Sequence, residues 1–160
     1  MQKALAQLSL GSPDATARLA RKVAPLLSPG DAIMLQGPVG AGKSHFARAL
    51  ILARLEVASR VEDVPSPTFT LVQTYDDDIG EIWHADLYRL SDPAEVDELG
   101  LIDAFETAIC LVEWPDRLGE LLPDSALTLK LEEGDTEDSR VATFLGDPDR
   151  WSKLAPAFST

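Results

Sequence analysis

Gly37-Pro38-Val39-Gly40-Ala41-Gly42-Lys43-Ser44 is the stretch on which the fold turns, because it fits G-x-x-x-x-G-K-[ST] at every fixed position. Ala32-Ile33-Met34-Leu35 immediately before it is a short apolar run of the buried-strand type, and His45 to Leu55 after it continues as a helix. Strand, glycine loop and helix in that order are the context a phosphate-binding loop requires. Gly40 and Gly42 allow backbone angles that other residues resist, so successive amide N–H groups turn inward towards phosphate oxygens. The helix begun beside Lys43 adds the positive end of its dipole. The Lys43 ammonium is expected to reach the β- and γ-phosphates and the Ser44 hydroxyl to bind Mg²⁺. Gly37, Val39, Gly40, Ala41, Gly42 and His45 contribute backbone, and for His45 the N–H matters more than the ring. A turn that is merely rich in glycine would explain neither Lys43-Ser44 nor their spacing. Guanine-specific proteins of this kind use an N-K-x-D element, and the chain contains no asparagine. The nucleotide expected is therefore ATP.

Outward from the loop, Gln2 to Leu10 alternates in part and reads as a strand. Ser12-Pro13-Asp14 reads as a helix start, with Ser12 as N-cap and Pro13 in the first turn. Ala17, Leu19, Ala20, Val23, Ala24 and Leu27 give that helix a buried face, and Ser28-Pro29-Gly30 ends it. Thr70 to Tyr75 and Glu81 to Tyr88 read as two strands about a turn at Asp76-Asp77-Asp78-Ile79-Gly80. Acidic helical sequence runs from Pro93 to about Glu106, and Ala108-Ile109-Cys110-Leu111-Val112 is a second fully apolar strand, ending at Glu113-Trp114-Pro115. A short helix over Asp116 to Leu121, an antiparallel pair formed by Ala126 to Leu131 and Arg140 to Leu145, and a closing helix over Asp149 to Phe158 complete the reading. Helices between buried apolar strands imply an α/β fold of three layers, with a largely parallel central sheet and appended antiparallel strands.

The chain has 160 residues, 45% of them hydrophobic, which suits a single domain over 1–160. No apolar run approaches the roughly 20 residues needed to span a bilayer, and Met1-Gln2-Lys3-Ala4-Leu5 does not resemble a secretory leader. Cys110 is the single cysteine and reads as a buried thiol in a reducing cytoplasm. The net charge is −13, which argues against unaided binding to nucleic acid, whose phosphates call for a basic footprint. A phosphate ligand must then be held by a local device, and the glycine loop is one.

A P-loop ATPase needs a carboxylate at the end of a neighbouring strand to hold Mg²⁺ or its water shell. Glu113 has that position, and Asp86 in His84-Ala85-Asp86-Leu87-Tyr88-Arg89 is the second candidate. Either acid could position the attacking water. Ser66-Pro67-Thr68-Phe69-Thr70 lies between the P-loop helix and the next strand, where a hydroxyl could sense the γ-phosphate. His84 alternates with Asp86 and is expected to orient it. The two histidines and one cysteine assemble no zinc site by spacing. Trp114, read from the residues alone, is a core aromatic.

Four elements in order resemble the TsaE family (also called YjeE), an ATPase family of bacterial tRNA threonylcarbamoyladenosine biosynthesis. They are Gly37–Ser44, Ser66-Pro67-Thr68-Phe69-Thr70-Leu71-Val72, His84-Ala85-Asp86-Leu87-Tyr88-Arg89-Leu90 and Leu111-Val112-Glu113-Trp114-Pro115. The resemblance covers Ser12 to about Leu131. It implies a cytoplasmic protein that binds ATP with Mg²⁺ and works with TsaD and TsaB, which transfer a threonylcarbamoyl group to adenosine 37 of tRNAs that read codons beginning with A. The tRNA would be met only through that complex. The family's ATPase activity is low alone and supports turnover of the complex. Lys43 and Ser44 would contact phosphate and Mg²⁺, with Glu113 as the Walker-B-like acid and Asp86 as a second acid near metal or water. Thr68 would sit in a switch-like loop, Trp114 would be a functional aromatic beside Glu113, and Ser12 would lie near the nucleotide. Two positions depart from the family pattern. Ser44-His45 stands where the family commonly has Thr-Thr, and Pro38-Val39 replaces Asp-Leu.

Two other readings remain open on the residues. A small P-loop kinase would carry an arginine-rich lid, and no arginine cluster follows the P-loop helix. A non-catalytic, nucleotide-dependent binding module would leave Glu113 structural.

Overall fold

Ala32–Gln36 (β2) and Ile109–Glu113 (β5) lie side by side in parallel and are buried almost throughout. Their near-continuous apolar sequence follows from having both sheet faces covered. The computed structural model of the chain describes residues 3–38, 40–57, 72–77, 80–88 and 100–158. Among these, seven strands form one sheet in the order β1-β7-β6-β2-β5-β4-β3. Leu127–Glu133 (β6) runs parallel to β2 and Gly80–Asp86 (β4) parallel to β5, so the centre of the sheet is parallel. Val72–Asp77 (β3) is antiparallel to β4 at one edge, while Arg140–Gly146 (β7) and Lys3–Leu10 (β1) add antiparallel strands at the other.

Two helices cover one face. Pro13–Val23 (α1) starts as the sequence predicts, with the Ser12 Oγ accepting from Ala15 N at 3.2 Å. Lys43–Val57 (α2) leaves the glycine loop beside it. Leu19, Ala20 and Val23 of α1 and Phe46, Leu50 and Ile51 of α2 share a core with Ile33, Leu35, Ile82, Ile109 and Leu111 of the sheet. The opposite face carries Leu101–Thr107 (α3) and a 3₁₀ segment, Pro115–Leu121. Leu101, Ala104 and Leu118 pack there on Met34, Ala85, Cys110 and Val112. The expected three layers and appended antiparallel strands are present.

One local expectation changes and two are refined. Asp77, read as a turn residue, is instead the buried last residue of β3, where it receives Arg54 Nε at 2.5 Å. The same guanidinium donates from Nη1 to the Ala24 and Leu27 carbonyls at 2.6 and 3.1 Å, tying the end of the first helical segment to α2. The short helix expected over Asp116 to Leu121 is present as a 3₁₀ segment, interrupted at Gly119 (φ 56°, ψ −124°). The closing segment is a single α-turn, Pro148–Trp151 (α4), continued as 3₁₀ through Ser152–Phe158. Pro156 lies inside it and has no N–H to continue an α-helical ladder. Asp31, 3% exposed, holds this end of the chain through Lys153 Nζ and Arg150 Nη2. Val39, the Ser66–Thr70 loop with Thr68, the turn residues Asp78 and Ile79, and the helical stretch expected from Pro93 to residue 99 lie outside the described residues.

Strand register positions the site. Asp86 pairs with Glu113, and Leu35 of β2 pairs with Glu113 from the other side. All three strands run the same way, so their C-terminal ends share one edge, where open α/β sheets bind ligands. Alternation then sends Ile82, His84 and Asp86, with Ile109, Leu111 and Glu113, towards the face covered by α2. The two acids emerge beside the start of that helix.

Candidate functional site

The chain leaves β2 through Gly37, whose φ is +150°. A Cβ there would stand 2.5 Å from the Leu131 carbonyl oxygen of β6, so only glycine lets the loop lie against that strand. Gly40 and Gly42 take φ of +84° and +101°, the left-handed region that the motif predicts for them. Helical bonding starts with Phe46 N donating to the Gly42 carbonyl at 2.9 Å. The N–H groups of the first turn therefore face the cleft without intrahelical partners.

Lys43 and Ser44 are engaged within the protein. Lys43 Nζ donates to the Gly37 carbonyl at 2.6 Å and lies 3.5 Å from the centroid of a Trp114 ring. Burial lowers the Lys43 pKa below its ordinary value, a shift opposed by the negative charges of Glu113, Asp86 and Asp116. Ser44 Oγ donates to Glu113 Oε1 at 2.7 Å, and His84 Nε2 meets Glu113 Oε2 at the same distance. Asp86 Oδ1 accepts from Tyr88 N at 3.0 Å. The expected His84–Asp86 partnership is replaced by His84–Glu113, because β4 and β5 are neighbours and the histidine ring reaches across to the adjacent strand.

Trp114 is the one non-glycine residue with positive φ among the described residues (φ 58°, ψ 54°). Such a conformation costs about 1–3 kcal/mol and clusters at functional sites. It turns the chain sharply after Glu113 and lays the indole over Lys43. Tyr88 packs beside it, ring centroids 4.9 Å apart. Trp114 thus lines the cleft beside Glu113 rather than lying in the core, the position that the resemblance implied for it.

These groups line a cleft of about 430 Å³ that takes in Gly40, Gly42, Lys43, Ser44 and His45 on one side and Asp86, Glu113 and Trp114 on the other. Its donor set suits a small divalent cation: a serine hydroxyl and two carboxylates, all hard oxygen ligands, at the start of a helix. The His45 ring turns away, with Nε2 2.9 Å from the Pro13 carbonyl, and links α2 to the start of α1. Ala41 is buried and contributes backbone only. Ser12 is placed as the α1 cap, and its neighbour Gly11 borders a second cleft of about 370 Å³ between residues 9–11 and 134–141.

Arg140, on β7, was not singled out by sequence reasoning. Its Nη2 and Nε donate to the Gly40 and Ala41 carbonyls at 3.0 and 3.2 Å. Nη1 donates to Glu137 and Ser139 carbonyls of the adjoining turn, both at 2.7 Å. One guanidinium thus pins the carbonyl side of the glycine loop to the β6–β7 connection. No local motif signals this, since the partners are about a hundred residues apart in sequence.

A helix capped by a glycine loop at the C-terminal edge of a parallel sheet, with a lysine, a serine and a strand-end glutamate converging, defines a protein of the P-loop NTPase fold class. A family model described as threonylcarbamoyl adenosine biosynthesis protein TsaE matches residues 10–142. Relatives named tRNA threonylcarbamoyladenosine biosynthesis protein TsaE include one from Rickettsia felis, 34% identical over 96% of this chain and 90% of that protein. Another, from Bacillus subtilis, is 33% identical over 92% of this chain and 90% of that protein. The crystal structure of YdiB from Bacillus subtilis superimposes with a TM-score of 0.77 at 29% identity, covering 99% of this chain and 95% of that one. The chain belongs to the TsaE family.

Proposed function

We propose that this chain is the ATP-binding, Mg²⁺-dependent hydrolase subunit of the machinery that makes N6-threonylcarbamoyladenosine at position 37 of tRNA, acting in the cytoplasm. The observation that carries the reading is the Ser44–Glu113 contact at 2.7 Å within the cleft that also holds Lys43. It joins the loop hydroxyl to a strand-end acid, the pairing that a metal–nucleotide site requires. Lys43 would exchange the Gly37 carbonyl for phosphate oxygens. Ser44, Glu113 and Asp86 would hold Mg²⁺, which when bound neutralises charge on the phosphates. Glu113 receives Ser44 and His84 and Asp86 receives Tyr88 N; either acid would orient the attacking water. The second cleft, one residue from Ser12, would take the nucleoside. Hydrolysis would act on TsaD and TsaB, with tRNA met only through them. Among the described residues no helix is long and apolar enough to cross a membrane.

Single-turnover hydrolysis of ATP, with and without TsaB–TsaD, tests the reading. Mg²⁺-dependent phosphate release that rises with the complex supports it. Phosphate transferred to an added small molecule would instead make the chain a kinase, and no release under either condition would make it a nucleotide-dependent binding module.

A further inference from the structure

His84 is 1% exposed and Glu113 2% exposed, so the 2.7 Å contact between them is sealed from solvent. A buried carboxylate is costly unless each oxygen is satisfied. Here the two oxygens are divided, Oε1 to the Ser44 hydroxyl and Oε2 to His84 Nε2. The ring proton must lie on Nε2. On Nδ1 it would leave two acceptors facing each other at 2.7 Å, and Nδ1 is itself buried with no hydrogen-bond partner among the described residues. The strands fix this geometry: Asp86 pairs with Glu113 across β4 and β5, and His84 stands one pleat back on the same face.

The two contacts differ in kind. Ser44 lies on the loop, and any ligand that draws on its oxygen shares it with Glu113. His84 sits within a paired strand, is not among the residues lining the cleft, and among the described residues its ring hydrogen-bonds only Glu113. It is therefore the fixed end of the chain His84–Glu113–Ser44. With Oε2 held, the carboxylate cannot rotate, and Oε1 stays aimed at the loop hydroxyl.

We propose that His84 is a positioning residue for the cation site: by holding Glu113 Oε2 it fixes the carboxylate rotamer that presents Oε1 to Ser44 and to a divalent metal. This rests on the nucleotide reading above and assigns part of its metal dependence to a residue that never meets the ligand. Partners of this type typically contribute about 10- to 100-fold to metal affinity.

ADP binding by calorimetry, in Mg²⁺ and in EDTA, tests it on the wild type and on His84→Leu, His84→Asn and His84→Gln, with thermal melting alongside. Leucine has no donor, and the asparagine amide is too short to reach Oε2. Glutamine carries an N–H at about the distance of Nε2. The expected result is that Leu and Asn lose about tenfold or more of the Mg²⁺-dependent gain in ADP affinity, keep the EDTA affinity within about twofold, and that Gln recovers most of the gain. Should His84→Leu not fold, the Asn and Gln pair carries the same comparison. An undiminished Mg²⁺ gain in Leu or Asn overturns the proposal, as does equal loss in EDTA and Mg²⁺ that tracks melting temperature. Wild-type protein that binds no ADP in either buffer overturns the nucleotide reading itself, a result visible before any variant is made.

Discussion

Replacing Gly37 by alanine tests the contact on which the loop is seated. The added Cβ would lie 2.5 Å from the Leu131 carbonyl oxygen and 3.1 Å from the Ala41 Cβ, at a residue whose φ is +150°. Neither neighbour yields easily, since Leu131 is within a paired strand and Ala41 is 1% exposed. A side chain in such a sparsely populated backbone region costs about 1–3 kcal/mol. Overpacking against a rigid wall adds about 1–3 kcal/mol, so Gly37→Ala is expected to destabilise by about 2–6 kcal/mol. For a chain of this size each kcal/mol lowers the melting temperature by about 2–4 °C, giving a fall of at least about 4 °C. The alternative to full strain is a shift of the loop away from β6, which misaims the amides. Melting temperature and ADP affinity should therefore be measured together, and one of them must drop. A variant that melts within about 1 °C of wild type and binds ADP equally well would refute this account of how the loop is held.

Other consequences are open to direct measurement. Lys43→Ala should abolish detectable ATP binding in calorimetry, because among the described residues Lys43 is the one lysine or arginine lining the cleft; an unchanged affinity would remove the loop assignment. Arg140→Ala deletes two charge-assisted bonds to Gly40 and Ala41 and should weaken ADP binding by about tenfold, since one such bond is worth about 1.5–3 kcal/mol in the folded loop and part is recovered by water. Wild-type affinity in that variant would show that the loop holds its shape unaided. Burial pushes the Cys110 thiol up to about 12. The native state then keeps its proton while the unfolded chain loses it, so stability should fall as pH rises from about 9 towards 12. A Cys110→Ala variant should show less of this decline, and the native thiol should resist maleimide at pH 8 until denaturant is added.

Much of this molecule could be read locally. The Ser12-Pro13 start of α1, the apolar β2 and β5, and the loop between β2 and α2 each have their cause within a few residues, so periodicity and capping chemistry reveal them. Glu113 was legible for the same reason, as an acid closing an apolar strand. What escaped depends on strand order. Neither the neighbouring of β4 and β5 nor the reach of His84 across them is written in the spacing of His84 and Asp86. Asp77 looked like one of three turn aspartates until its burial against Arg54 on a distant helix separated it from them. Arg140 sits in a strand of mixed polarity and acquires its role only when β7 is laid beside β6 and the loop. The 3₁₀ character of the chain end reflects Pro156 together with the anchoring of Arg150 and Lys153 on Asp31, a contact spanning more than a hundred residues.

The lysine at the base of the cleft is never idle. Its ammonium has the Gly37 carbonyl and the Trp114 ring, and the serine beside it has Glu113. An anion arriving as proposed would not fill a vacancy. It would enter an exchange in which the protein's own oxygen and aromatic face are the resident ligands, and its net affinity would be the difference between two sets of contacts. On the proposed reading a lone phosphate would replace those contacts at little advantage, whereas a chain of phosphates would add the loop amides. The internal contacts would then act as a threshold on ligand length, favouring polyphosphate chains over single phosphate ions.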